Sequence, residues 1–128
     1  MKKLILNLRA FILSLKSKTP EKISKILLRE TLQISSAESC TGGLISSRLT
    51  DVSGSSAYVK MNFVTYSNEA KHKILNVSEE TINKYGAVSE QCAREMAQGL
   101  LQLTKSDIVI CTTGVAGPTG SERKPVGH

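Results

Sequence analysis

The sequence predicts an α/β fold: a three-layer α/β/α sandwich with a largely parallel or mixed sheet. Three observations carry that prediction. Short β-rich or apolar stretches alternate with segments of helical periodicity along the chain. Residues 107–112 hold Ile-Val-Ile-Cys at their centre, an unbroken apolar run of the kind a parallel sheet buries on both faces. Polar or glycine-bearing segments follow the predicted strands, and open α/β sheets place ligands there.

Taken in order, Leu4, Leu8, Phe11, Ile12 and Leu15 recur at helical spacing and predict an amphipathic helix. Met1-Lys2-Lys3 before it imitates a signal peptide. Asn7 and Arg9 interrupt the apolar run, however, no small-residue cleavage site follows, and the run is too short to span a bilayer. Thr19-Pro20-Glu21 reads as a helix start with Thr19 as N-cap, followed by an apolar stripe of Ile23, Ile26 and Leu27. A strand is expected over 32–36 and a helix over 41–49, with Leu44, Ile45 and Leu49 on one side. Another strand is expected over 58–66. Ser67 caps a helix ending near Leu75, and Ser78 begins one that Gly86 ends. Ser89 caps the most regular helix, with Cys92, Ala93, Met96, Ala97, Leu100 and Leu101 as its stripe.

Charge is unevenly distributed. Residues 1–30 carry eight basic and two acidic side chains, which accounts for the whole net charge of +6, while residues 31–128 carry nine of each sign. The body of the domain is therefore neutral, and only residues 1–18 with the helix after them form a basic arm. With aromatics at 4% and no Trp, base-stacking surfaces are scarce, so nucleic acid is not the expected partner. Cys40, Cys92 and Cys111 are odd in number and lack CxxC spacing, which disfavours a disulfide framework and a zinc site and fits a cytoplasmic location.

Three segments leave predicted strands. Ala37-Glu38-Ser39-Cys40-Thr41-Gly42-Gly43 enters a helix, whose first amides are free to hold a phosphate or an oxyanion; the alternative is a capped turn without ligand. Tyr66-Ser67-Asn68-Glu69-Ala70-Lys71 places Lys71 in the first turns of a helix, where a solvated lysine is the simpler reading. Thr113-Gly114-Val115-Ala116-Gly117-Pro118-Thr119-Gly120 is either an anion cradle or a surface loop. It lacks the Gly-Lys-Ser/Thr of a Walker A loop and the acidic partner of a dinucleotide fingerprint. The two histidines, His72 and His128, make no Ser-His-Asp arrangement, so an activated Ser39 would use Lys71 or Tyr66 as its base. The residues alone point to an anionic, phosphorylated small molecule bound at the strand ends.

These segments, together with Leu49–Ala57, Gly86-Ala-Val-Ser-Glu90 and Lys124-Pro-Val-Gly127, resemble the signature blocks of the CinA C-terminal domain, in family order and spacing. The resemblance implies hydrolysis of the carboxamide of nicotinamide mononucleotide to nicotinate mononucleotide and ammonia, with no metal and no cofactor. It implies Ser39 as nucleophile, Lys71 as its base or as a charge lowering its pKa, and Tyr66 as proton relay or orienting group. Thr41, Gly42 and Gly43 would supply oxyanion amides, and Thr113, Gly114 and Gly117 would cradle ribose or phosphate. Family members continue past Lys-Pro-Val-Gly into further strands and a closing helix. On that comparison the domain over 19–128 is expected to be incomplete, with residues 114–128 as an extended, weakly anchored tail and self-association through the exposed surface. Two other readings stay open: a non-catalytic mononucleotide-binding module and an inactive shortened gene product.

Overall fold

Ile34-Ser-Ser-Ala-Glu38 forms strand β1, and all five of its residues are buried. Their size explains how: small side chains let layers close on both sides of the strand, and the hydroxyls find partners there. Ser35 Oγ bonds Ser106 Oγ at 2.7 Å, and Ser36 Oγ donates to Asn62 Oδ1 at 2.9 Å. The strand begins two residues later than the sequence predicts and takes in Ala37 and Glu38, which had been assigned to the following turn.

The structure, a computed structural model, describes residues 18–120 and 124–128. The predicted N-terminal amphipathic helix falls outside them. The described elements run α1 (Thr19–Arg29), β1, α2 (Leu44–Thr50), a short 3-10 turn (Ser55–Ala57), β2 (Val59–Val64), α3 (Asn68–Leu75), α4 (Glu79–Tyr85), α5 (Glu90–Thr104) and β3 (Ile108–Cys111). Both strand pairings are parallel and the order is β2-β1-β3, so β1 is central. This is the predicted α/β class, and the described sheet is wholly parallel. One register shift lies between Ile34 and Ser36, where Ser35 Oγ accepts the Met61 amide at 3.1 Å.

Two apolar clusters fill the two faces of the sheet. Ala37 and Val109 face Leu75, Val77, Cys92, Met96, Ala97 and Leu100. Ile34 and Ile110 face Leu27, Ile45, Leu49 and Tyr58. Neighbouring residues of β3 thus serve opposite cores, as strand alternation requires. Cys111 is partly buried and packs against the first cluster, and burial pushes its thiol up to about 12.

Helix boundaries follow local chemistry. Ser67, Ser78 and Ser89 each cap as predicted, accepting the amides of Ala70, Thr81 and Cys92. Other expectations shift. Lys18, not Thr19, occupies the cap position of α1. Ile26 and Leu44, assigned to apolar stripes, are 49% and 45% exposed. Helix α2 starts at Leu44 because Gly43 caps it with φ +110°, a left-handed conformation that favours glycine. Residues 114–120 and 124–128 are largely exposed and fold back on themselves instead of extending. Val115 donates to His128 O at 3.2 Å and Gly127 donates to Val115 O at 2.6 Å. Lys124 Nζ reaches the Val88 carbonyl.

Candidate active site

The parallel register brings the C-terminal ends of all three strands to one edge, with Glu38 opposite Val64 and Ala37 opposite Cys111. Ser39, Thr65-Tyr66 and Thr112-Thr113 therefore emerge side by side. Ser39 is 6% exposed, and its amide is held by Thr112 of the adjacent strand exit, through the carbonyl at 3.1 Å and Oγ1 at 3.2 Å.

Lys71 comes from the second turn of α3, which crosses over the sheet after β2. It is not the solvated lysine of the simpler reading: it is 1% exposed. Its Nζ lies 3.0 Å from Ser39 Oγ, 3.0 Å from the Thr65 carbonyl and 3.1 Å from the Tyr66 carbonyl. Burial lowers its pKa from the ordinary value of 10.5. A neutral amine has two hydrogens and one lone pair. As an ammonium, Nζ donates to all three oxygens; on losing a proton it keeps two hydrogens for the carbonyls and turns its lone pair to the Ser39 hydroxyl.

Tyr66 contributes differently from expectation. Its carbonyl orients Lys71, while its side chain is 72% exposed and the described hydrogen bonds do not include its phenol. Tyr66 lines the same cavity as Ser39 and Lys71, and its described hydrogen bond to them runs through its carbonyl.

A cavity of about 420 Å³ opens over Ser39 and Lys71. Tyr66, Thr113, Gly114 and Gly117 line it, as do Cys40, Asn68 and Val88, which sequence reasoning had not assigned to a site. Thr113 Oγ1 donates to the Ala87 carbonyl at 2.7 Å and so joins the glycine-rich loop to the segment between α4 and α5. All three, Cys40, Asn68 and Val88, stand inside motifs noted above; what the sequence lacks is the direction of their side chains.

Thr41, Gly42 and Gly43 are not part of the cavity lining. Glu38, the residue before Ser39, is fully buried beside this turn. Its carboxylate occupies the start of α2: Oε1 accepts the Ile45 amide at 2.8 Å and Thr41 Oγ1 at 2.7 Å, and Oε2 accepts the Ser46 amide at 2.9 Å and Ser46 Oγ at 2.6 Å. The helix start proposed for a ligand anion already holds an internal one. The Gly42 amide is likewise engaged, with the Ser39 carbonyl at 3.1 Å. Burial by itself raises the Glu38 carboxyl, but the bonds from Ser46, Thr41 and Ile45 outweigh it and hold it below 4.5.

Comparison with known proteins agrees with this picture. The CinA C-terminal domain profile matches residues 16–128. A CinA-like protein of Chloroherpeton thalassium is 60% identical over 108 residues, covering 84% of this chain and 26% of that protein. A nicotinamide-nucleotide amidohydrolase PncC of Enterobacter agglomerans is 55% identical over 95 residues, 73% of this chain and 58% of that one. The crystal structure of the competence/damage inducible protein CihA from Agrobacterium tumefaciens superposes with a TM-score of 0.81 at 47% identity, covering 84% of this chain and 66% of that one. The chain thus spans about a quarter of the length of its CinA-like relatives. With the matched residues, the shared fold and the site at the strand ends taken together, this chain belongs to the CinA C-terminal domain family.

Proposed function

We propose that the chain is an amidohydrolase whose substrate is nicotinamide mononucleotide. The observation that carries this reading is the 3.0 Å contact between buried Lys71 Nζ and Ser39 Oγ at the floor of an open cavity. The similarity to the amidohydrolase of Enterobacter agglomerans supports the substrate.

Ser39 Oγ attacks the carboxamide carbon while its proton passes to Lys71 Nζ. Collapse of the tetrahedral adduct breaks the C–N bond, and Lys71 returns the proton to the departing nitrogen, releasing ammonia. Water then attacks the Ser39 ester with Lys71 again as base, which frees nicotinate mononucleotide and restores the hydroxyl. The described hydrogen bonds of Lys71 Nζ include Ser39 Oγ and not Cys40 Sγ, so the base serves the hydroxyl; burial also pushes the Cys40 thiol up. The loop from Thr113 to Gly117 lines the cavity together with Tyr66, whose exposed ring offers a face for a cationic pyridinium.

The test is ammonia release from nicotinamide mononucleotide by the 128-residue chain. Release that disappears in Ser39→Ala supports the reading. Binding of the nucleotide without ammonia release assigns the chain as a binding module instead.

A further inference from the structure

We propose that Glu38, Thr41 and Thr112 form a positioning network that fixes the Ser39 main chain so that its hydroxyl meets Lys71. The proposal rests on the reading of Ser39 as nucleophile. It adds residues that touch neither the cavity nor the reacting atoms.

The direction of the hydrogen bonds follows from their chemistry. An ionised Glu38 only accepts, so the Thr41 hydroxyl donates to it at 2.7 Å. Having used its one hydrogen, Thr41 Oγ1 must accept from Thr112 Oγ1 at 2.8 Å. Thr112 Oγ1 in turn accepts the Ser39 amide at 3.2 Å. The chain therefore runs one way, from Ser39 N–H through two hydroxyls to a carboxylate. Each donor polarises the next, and a charge ends the series.

The same carboxylate is fixed from its other side by the Ile45 and Ser46 amides of α2. The turn between β1 and α2 is thus tied at the helix by Glu38 and at the neighbouring strand exit by Thr112. Ser39 lies between these ties, with its amide committed to Thr112 and its hydroxyl facing Lys71. Glu38 and Thr112 are 0% and 1% exposed, and neither they nor Thr41 lines the cavity. The network therefore acts on Ser39 and not on substrate.

A purely structural role makes a different forecast, and Thr112→Val separates the two. The change keeps the β-branched shape, the Glu38 bonds to α2 and the bond from the Ser39 amide to the Thr112 carbonyl, and removes only the hydroxyl link between that amide and Thr41. The readout is the second-order rate at which a fluorophosphonate probe labels Ser39 in the full chain, measured alongside the thermal midpoint. Labelling is expected to fall about tenfold in Thr112→Val, and to return to within about twofold of the unaltered chain in Thr112→Ser. Thr41→Val breaks the chain one link further away, at a partly exposed site, and serves where Thr112→Val does not fold; a several-fold fall is expected. Labelling at the unaltered rate in a folded Thr112→Val or Thr41→Val chain overturns the network and leaves the amidase reading standing. Labelling that responds as described, in a chain that releases no ammonia from nicotinamide mononucleotide, upholds the network and removes that substrate. Failure of the unaltered chain to label at Ser39 overturns the nucleophile assignment and the network with it.

Discussion

Gly99→Ala is the most informative single perturbation, because two opposing effects of known size meet there. Gly99 lies in the middle of α5, where replacing glycine by alanine favours a helix by about 1 kcal/mol. A Cβ at this position, however, would stand 1.7 Å from the Leu75 carbonyl oxygen and 2.6 Å from its carbon. Ordinary carbon–oxygen contacts begin near roughly 3.3 Å, so α3 and α5 would have to part by about 1.5 Å. The obstacle is the main chain of the last turn of α3, which cannot swing aside as a side chain can. Leu75, Val77 and Leu100 are each no more than 1% exposed, so the separation opens the core they share. Overpacking of this kind costs about 1–3 kcal/mol, and a forced helix displacement belongs at the upper end or beyond. The expected net loss is about 2 kcal/mol. A urea titration followed by circular dichroism would show it as a midpoint lowered by roughly 1 M. Lys71 lies one turn before Leu75 in α3, so its distance to Ser39 should change and Ser39 labelling should drop as well, by up to about a hundredfold. An alanine variant as stable as the unaltered chain, labelled at the same rate, would refute the close approach of the two helices.

Further outcomes follow from the site. Lys71→Met should slow Ser39 labelling by about 10²–10⁴-fold. In the unaltered chain the rate should climb with pH as Lys71 loses its proton, with an inflection below 10.5, and this rise should be absent in Lys71→Met; an inflection at or above 10.5 contradicts the effect of burial. Tyr66→Ala should raise KM for nicotinamide mononucleotide more than it lowers kcat, since Tyr66 is an exposed lining residue of the cavity; a collapse of kcat alone would make the phenol a proton relay. Ammonia release should vanish in Ser39→Ala and largely persist in Cys40→Ala. Glu38 has a lowered folded-state pKa, so its stabilisation is complete above the unfolded value near 4.5 and is lost as pH falls through the lower folded value. Glu38→Gln should cost about 2–4 kcal/mol at neutral pH and flatten the acid dependence of the urea midpoint; an unchanged acid profile argues against the buried carboxylate.

What the sequence by itself determined was local or periodic. Ser67, Ser78 and Ser89 were legible as caps because each bonds an amide three residues on. The α5 stripe was legible because 3.6-residue periodicity marks one face of a helix. The family could be read from blocks of residues in order, without knowing where any side chain points. Tertiary structure decided what joins residues far apart in the chain. Ser39 and Lys71 are separated by 32 positions and meet only because α3 packs beside the exit of the central strand. Thr112 reaches Ser39 across 73 positions through the parallel pairing of β1 and β3. The roles of the Ser39 turn also depended on this level. The spacing of Glu38 from Ile45 and Ser46 permits an internal cap, but an acidic residue before a helix is equally compatible with exposure. Burial between two layers decided the matter: a carboxylate taken out of water needs donors, and the first amides of α2 were the nearest unpaired ones.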